Sequence, residues 1–215
     1  MNRNKLFFIF LFLQAVSFTV CAQKKYPYNL SSLLQANKLI IYPGKTVNRL
    51  NDGSKQGITC NGIVWLKGLD FKTGQIDLDI RGRDVFQQSF LGIAFHGIDT
   101  ITYDAVYFRP FNFRSADTLR AKHTVQYVSE PTFPWDKLRQ EYPLVYENKV
   151  TPAPLATEWF HARIIVDHAN ITVYVNNSAK PCLKVKKLNE RKDGLIGLWT
   201  FGLPGDFANL FITKE

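Results

Sequence analysis

Cysteine and methionine are scarce in this chain: 215 residues carry three of the first and one of the second. No Cys-x-x-Cys pair occurs, and no His/Cys cluster has ligand spacing. A thiol redox centre or a structural zinc site therefore lacks its residues. Gly-rich phosphate loops, a Gly-x-Ser-x-Gly elbow and an Asp-x-Asp-x-Asp-Gly calcium loop are absent as well, so neither a cofactor nor a metal is expected. Acidic residues are fewer than basic ones, 18 against 27, for a net charge of +9. The surplus is scattered in short groups such as Lys24-Lys25, Lys186-Lys187 and Arg191-Lys192. It forms no dense stripe and accompanies no recognisable binding module, so nucleic acid is not an expected partner. Strong helical periodicity is nearly missing too.

Long apolar runs are confined to the N-terminus. Arg3 and Lys5 precede Leu6 to Leu13, and Val20-Cys21-Ala22 offers a cleavage site before Gln23. This pattern predicts a secretory signal peptide over residues 1–22. The alternative of a membrane anchor meets a run broken by Gln14, Ser17 and Thr19, short of the roughly 20 residues a span requires; a lipid on Cys21 is a further alternative. Removing residues 1–22 takes two basic residues and no acid, which brings the charge from +9 to +7. The expected location is exported: periplasmic, cell-surface or secreted, with no membrane span after signal removal. In that setting Cys60 and Cys182 are permitted to pair, or stand as two buried small hydrophobes.

What is present is apolar, at 46 % of residues, and rich in aromatics, at 14 %. From Ile58 onward, short β-branched and aromatic runs alternate with Gly, Asn, Asp and Pro. In Gly74 to Arg83, Ile76, Leu78 and Ile80 alternate with Gln75, Asp77, Asp79 and Arg81, giving a strand with one apolar face and one solvated polar face. Further strands are predicted at 89–96, 102–109, 123–128, 160–167, 171–176, 182–187, 195–201 and 207–213. Residues 38–50 add one or two, and 29–35 one short amphipathic helical turn. Strands at this spacing without intervening helices predict an all-β antiparallel sandwich or barrel. Residues 23–57 read as a lead-in belonging to the domain and 58–215 as its body.

The segment from Ser129 to Glu158 breaks the rhythm. It holds Pro131, Pro134, Pro143, Pro152 and Pro154, half of the chain's 10 prolines, together with Phe133, Trp135, Tyr142 and Tyr146. We expect a flap at 129–158 that contains a short helix from Trp135 to Tyr142, with Pro134 at its first position. It either covers a sheet edge or serves function.

Trp159-Phe160-His161-Ala162-Arg163-Ile164, Ile171-Thr172-Val173-Tyr174-Val175-Asn176, Gly194-Leu195-Ile196-Gly197-Leu198-Trp199 and Asp206-Phe207-Ala208-Asn209-Leu210 resemble the closing strands of the concanavalin A-like lectin/glucanase superfamily. The chain is also similar to the bacterial 3-keto-disaccharide hydrolase domain within that group. The resemblance implies a two-sheet antiparallel jelly roll with Trp159 and Trp199 in the core between the sheets. Relative to the family pattern, His96 stands in place of an Arg, Asp104 of a Glu and Val106 of a Gln. Fold alone assigns no activity, because this sandwich hosts binding modules and enzymes alike.

By the two-residue period, the strand from Thr102 sets Tyr103, Tyr107 and Arg109 on one face and Val106 and Phe108 on the other. Flat rings beside a five-donor guanidinium suit sugar recognition. His96 is expected on the neighbouring strand, beside Ala94 and Gly92. Gln126, Trp135 and Arg139 complete the expected saccharide-binding set. The competing reading is a glycoside hydrolase or lyase acting on a small or oxidised sugar, with Asp104, Glu141 or Glu147 as acid or base. A third is a structural or adhesive surface protein. Asp206 is a candidate single ligand of a structural ion.

Overall fold

A computed structural model describes residues 25–53 and 55–214; the expected leader at 1–22, Cys21 included, lies outside them. Two antiparallel sheets face each other, as the strand pattern predicts. The first contains β1 (Lys25–Tyr28), β3 (Val47–Asn51), β4 (Gln56–Cys60), β6 (Gly74–Arg81), β11 (Phe160–Val166), β12 (Asn170–Val175), β13 (Leu183–Lys186) and β15 (Gly205–Lys214), ordered β13-β12-β11-β6-β15-β4-β3 with β1 also on β15. The second contains β2 (Leu39–Ile41), β5 (Ile63–Asp70), β7 (Ser89–Gly97), β8 (Tyr103–Phe108), β9 (Val125–Glu130), β10 (Glu147–Asn148) and β14 (Leu195–Gly202), ordered β10-β9-β8-β7-β14-β5-β2. The expected helical turn is α1 (Leu30–Gln35), and the Asn29 side chain caps it by accepting from the Ser32 amide.

Alternation decides which side chains meet between the sheets. Ile76, Leu78 and Ile80 from β6 and Leu91, Ile93 and Phe95 from β7 are buried in one continuous core. Phe108 and Phe160 join the sheets edge-to-face with ring centroids 5.0 Å apart. Each such side chain contributes about 1.5–3 kcal/mol by leaving water. Because Phe160 and Leu198 take inward positions, their neighbours Trp159 and Trp199 point outward, which corrects the expectation that both fill the core. Trp159 donates from Nε1 to Asp52 at 3.1 Å and lies under the Arg81 guanidinium.

One open alternative closes, and two further expectations change. Cys60 and Cys182 are buried free thiols; Cys60 ends β4 and Cys182 precedes β13, with β12, β11, β6 and β15 between those strands. Asp77 and Asp79 are not solvated: Asp77 lies against Lys25, His161 and Arg163, and Asp79 against Lys55, His161 and Asn209. Asp206 is held by Arg81 and Arg83, so its carboxylate is spent on guanidinium groups.

The proline-rich segment folds onto the edge of the second sheet. Here α3 (Trp135–Glu141) begins one residue beyond Pro134, whose φ of −68° and ψ of 167° make it the cap and not the first helical residue. Leu138 buries itself on the outer face of the second sheet, and β10 adds to β9. Among the described residues no helix is long and apolar enough to cross a membrane.

Candidate functional site

The outer face of the second sheet carries small residues along its middle, Gly92 and Ala94 on β7, Ala105 on β8 and Gly197 on β14, with large rings around them. A Cβ on Gly92 would stand 2.0 Å from the Val106 carbonyl oxygen, so the close approach of β7 and β8 requires glycine there. Above this floor opens a cleft of about 580 Å3. Its walls are aromatic. Tyr107 packs on Trp199 with centroids 4.9 Å apart, and Phe90 meets Tyr107, Phe111 and Phe201 edge-on at 5.3 to 6.2 Å. At the rim Phe86, Phe201 and Trp135 remain 52 %, 66 % and 49 % exposed, an arrangement that keeps flat apolar surface facing solvent at a concave site.

One end of the cleft is polar, and four elements build it. Tyr107 and Arg109 come from β8 and the residue after it. Arg120 and His123 follow from α2 (Thr118–Ala121), whose start is capped by Asp117. Arg139 comes from α3 and Glu147 from β10. Arg109 donates to the Tyr107 hydroxyl at 2.6 Å and to Gln126 Oε1, and the Tyr107 hydroxyl donates to the same oxygen at 2.7 Å. Behind them Glu147 accepts from Arg139 through both oxygens, at 3.0 and 2.7 Å, with His123 Nδ1 at 2.7 Å and Arg109 at 3.5 Å. A carboxylate 2 % exposed is tolerable because these partners satisfy it.

The electrostatics follow from burial and neighbours. Burial alone would raise the Glu147 pKa, but Arg139, His123 and Arg109 reverse that and hold it below the usual carboxylate range. Burial lowers the pKa of His123 and also that of Arg109. It pushes the Tyr107 phenol up to about 12, so the hydroxyl stays protonated as a donor. At the other end of the cleft, burial and the Asp136 charge raise the pKa of Glu130.

Of the residues singled out in the sequence, Tyr107, Arg109, Trp135 and Arg139 line this cleft; Gln126 and Glu147 stand directly behind them. His96 and Asp104 lie elsewhere. His96 has a φ of 49°, which takes its ring off the strand alternation and stacks it on Phe71. Its Nδ1 is 3.2 Å from Asp104, and its Nε2 2.7 Å from the Lys72 carbonyl. Asp104 accepts further from Tyr127, Asn189 and Arg191. Both side chains are fully buried, so this pair ties the 188–193 segment to the sheet and cannot reach a ligand. Glu141 is exposed at the end of α3 and does not line the cleft.

Sequence reasoning passed over Phe90, Arg120 and His123, and it placed Trp199 in the core. Alternation in β7 marks Phe90 as outward, in step with Gly92 and Ala94, and alternation in β14 does the same for Trp199. Nothing local marks Arg120 or His123, because the turn at 110–112 and α2 decide where they arrive.

No family model matches the chain, and no curated protein does. Solved structures do resemble it. A protein of unknown function with a galectin-like fold from Bacillus subtilis superposes with a TM-score of 0.57 at 13 % identity, covering 88 % of this chain and 94 % of that one. A carbohydrate binding module from Bacillus subtilis gives 0.53 at 14 % identity, over 79 % and 96 %. A β-glucanase from Bacillus licheniformis gives 0.50 at 13 %, over 84 % of each. At such identities the likeness is one of architecture: the chain has a two-sheet jelly-roll fold of the concanavalin A-like type.

Proposed function

We propose that the chain is a carbohydrate-binding protein that holds a saccharide in the cleft of the second sheet. The observation that carries this reading is the cleft itself, in which exposed and half-exposed rings surround a fixed set of donors and acceptors. Sugars present C–H faces to rings and hydroxyls to hydrogen-bonding groups, so both halves of that chemistry have a counterpart here. Known structures of the same architecture, which include a carbohydrate binding module and a β-glucanase, agree with the reading. The export leader read in residues 1–22 would bring such a protein to extracellular or periplasmic glycans.

Binding without cleavage is the version the geometry favours. Glycoside hydrolysis ordinarily uses two carboxyl groups on either side of the bond, one of them an acid. Among the described residues Glu130 is the single carboxylic residue lining the cleft; Asp104 is shut away, Glu141 faces solvent, and Glu147 is held by Arg139 and His123. The test is calorimetric titration of the protein with a panel of mono- and oligosaccharides, with Trp135→Ala as the variant. We expect a hit that is returned intact, and about a tenfold weaker Kd in the variant, the effect of removing an exposed anchor ring. Silence across the panel, or equal affinity in the variant, would overturn the reading, and consumption of the sugar would replace binding with catalysis.

A further inference from the structure

Three guanidinium groups, Arg109, Arg120 and Arg139, and the His123 imidazole line the cleft, against Glu130 as its single carboxylic residue among the described residues. Their circumstances differ. Arg109 and Arg139 share Glu147 with His123. Arg120 donates from Nε to Asn112 Oδ1 at 3.3 Å and rests on the Phe86 ring at 4.1 Å. Among the described residues no carboxylate lies within ion-pair distance of it. A guanidinium backed by an aromatic ring, with its terminal N–H groups unspent and facing a cleft, is a receptor for a planar anion, since it grips a carboxylate through two parallel hydrogen bonds.

We propose that the cleft selects an acidic saccharide, whose uronate carboxylate sits on Arg120 while its ring lies against the aromatic wall of the cleft. This rests on the saccharide reading above and narrows it to a class. Arg120 is then a specificity-determining residue: a neutral sugar gains the ring contacts and leaves the guanidinium to water.

The experiment compares oligogalacturonate, oligomannuronate and oligoglucuronate with their carboxyl-reduced counterparts, by calorimetry on the wild type and on Arg120→Gln. At least one uronate should bind about tenfold or more tighter than its reduced partner at low salt, the range expected of a charge-assisted pair. That margin should shrink as salt rises. In Arg120→Gln the ratio of the two affinities should fall to about one, and that ratio, not the absolute affinity for either sugar, is the quantity read. If reduced and acidic forms bind equally, or the margin survives in Arg120→Gln, the acidic-sugar inference is overturned and the saccharide reading stands. If no sugar binds at all, both fall. Should Arg120→Gln fail to fold, the wild-type comparison and its salt dependence still decide the point.

Discussion

His161 permits a measurement of how much the charged outer face of the first sheet contributes to folding. Its ring stands between two carboxylates of β6, with Nδ1 2.9 Å from Asp79 and Nε2 3.1 Å from Asp77. Both nitrogens face acceptors, so the fully satisfied ring is the imidazolium. Hydrogen bonds to Asp77 and then to Asp79 raise its pKa from 6.5 to about 9, against burial. A folded pKa above the unfolded one gives stability that is fully present below about pH 6.5 and is lost as pH rises through about 9. At roughly 1.4 kcal/mol per tenfold change in proton affinity, the shift amounts to about 3 kcal/mol for a shielded ring. The side chain is 25 % exposed, and solvent screening reduces this to about 1–2 kcal/mol. Urea unfolding of the wild type and of His161→Gln at pH 6 and pH 10 isolates the term, because lysine, tyrosine and cysteine titrations cancel between the two proteins. The stability gap should shrink by about 1–2 kcal/mol at pH 10. A gap of equal size at both pH values would refute the reasoning, as would a ring that titrates below pH 7 by NMR.

Asp104→Ala should cost about 3–5 kcal/mol in urea unfolding, since it leaves His96 and Arg191 without their buried partner; a loss under 1 kcal/mol would show that the knot is not structural. Leu138→Ala should cost about 2–3 kcal/mol and weaken ligand binding as well, because this side chain seats the helix that carries Trp135 and Arg139; normal affinity in a destabilised variant would separate the flap from the cleft. Gly92→Ala should destabilise by about 3 kcal/mol, and a near-neutral unfolding midpoint would mean that β7 and β8 separate easily. Cys60 and Cys182 should resist a thiol reagent in the native protein and react fully in denaturant, since burial raises both pKa values, that of Cys182 to about 12; fast native labelling would contradict their burial.

The architecture was legible because these strands keep strict alternation. The inward rows Ile76-Leu78-Ile80 of β6, Phe160-Ala162-Ile164-Val166 of β11 and Ile171-Val173-Val175 of β12 are apolar throughout, and they are the rows the pattern predicts. Where reading went astray, alternation was correct but its phase was not applied. The family resemblance implies that Trp159 and Trp199 are core, yet Phe160 and Leu198 already occupy the inward phase. Asp77 and Asp79 were placed on the correct face, but what covers that face comes from Lys25, Lys55, His161 and Arg163, three of them on other strands of the sheet, and residue spacing in one strand says nothing of such partners.

The cleft shows the same boundary between local and long-range information. Tyr107 and Arg109 share a face by simple period, and the pairing of Tyr107 with Gln126 across β8 and β9 follows once the two strands are neighbours. His96 misled for a backbone reason: a positive φ at a histidine breaks the alternation that would have set it beside Ala94, and no residue type announces that break. Glu147 misled for an electrostatic one. One acid among several in a proline-rich segment reads as a free acid or base, but the two-residue strand β10 delivers Glu147 between Arg139, His123 and Arg109, where three cationic or protonatable groups convert it into a fixed anchor. What remains to meet a ligand is then decided by subtraction: with Glu147 committed to Arg139 and His123, Arg120 is, among the described residues, the cleft guanidinium without a carboxylate partner, and it stands on a four-residue helix that no periodicity in the sequence marks out.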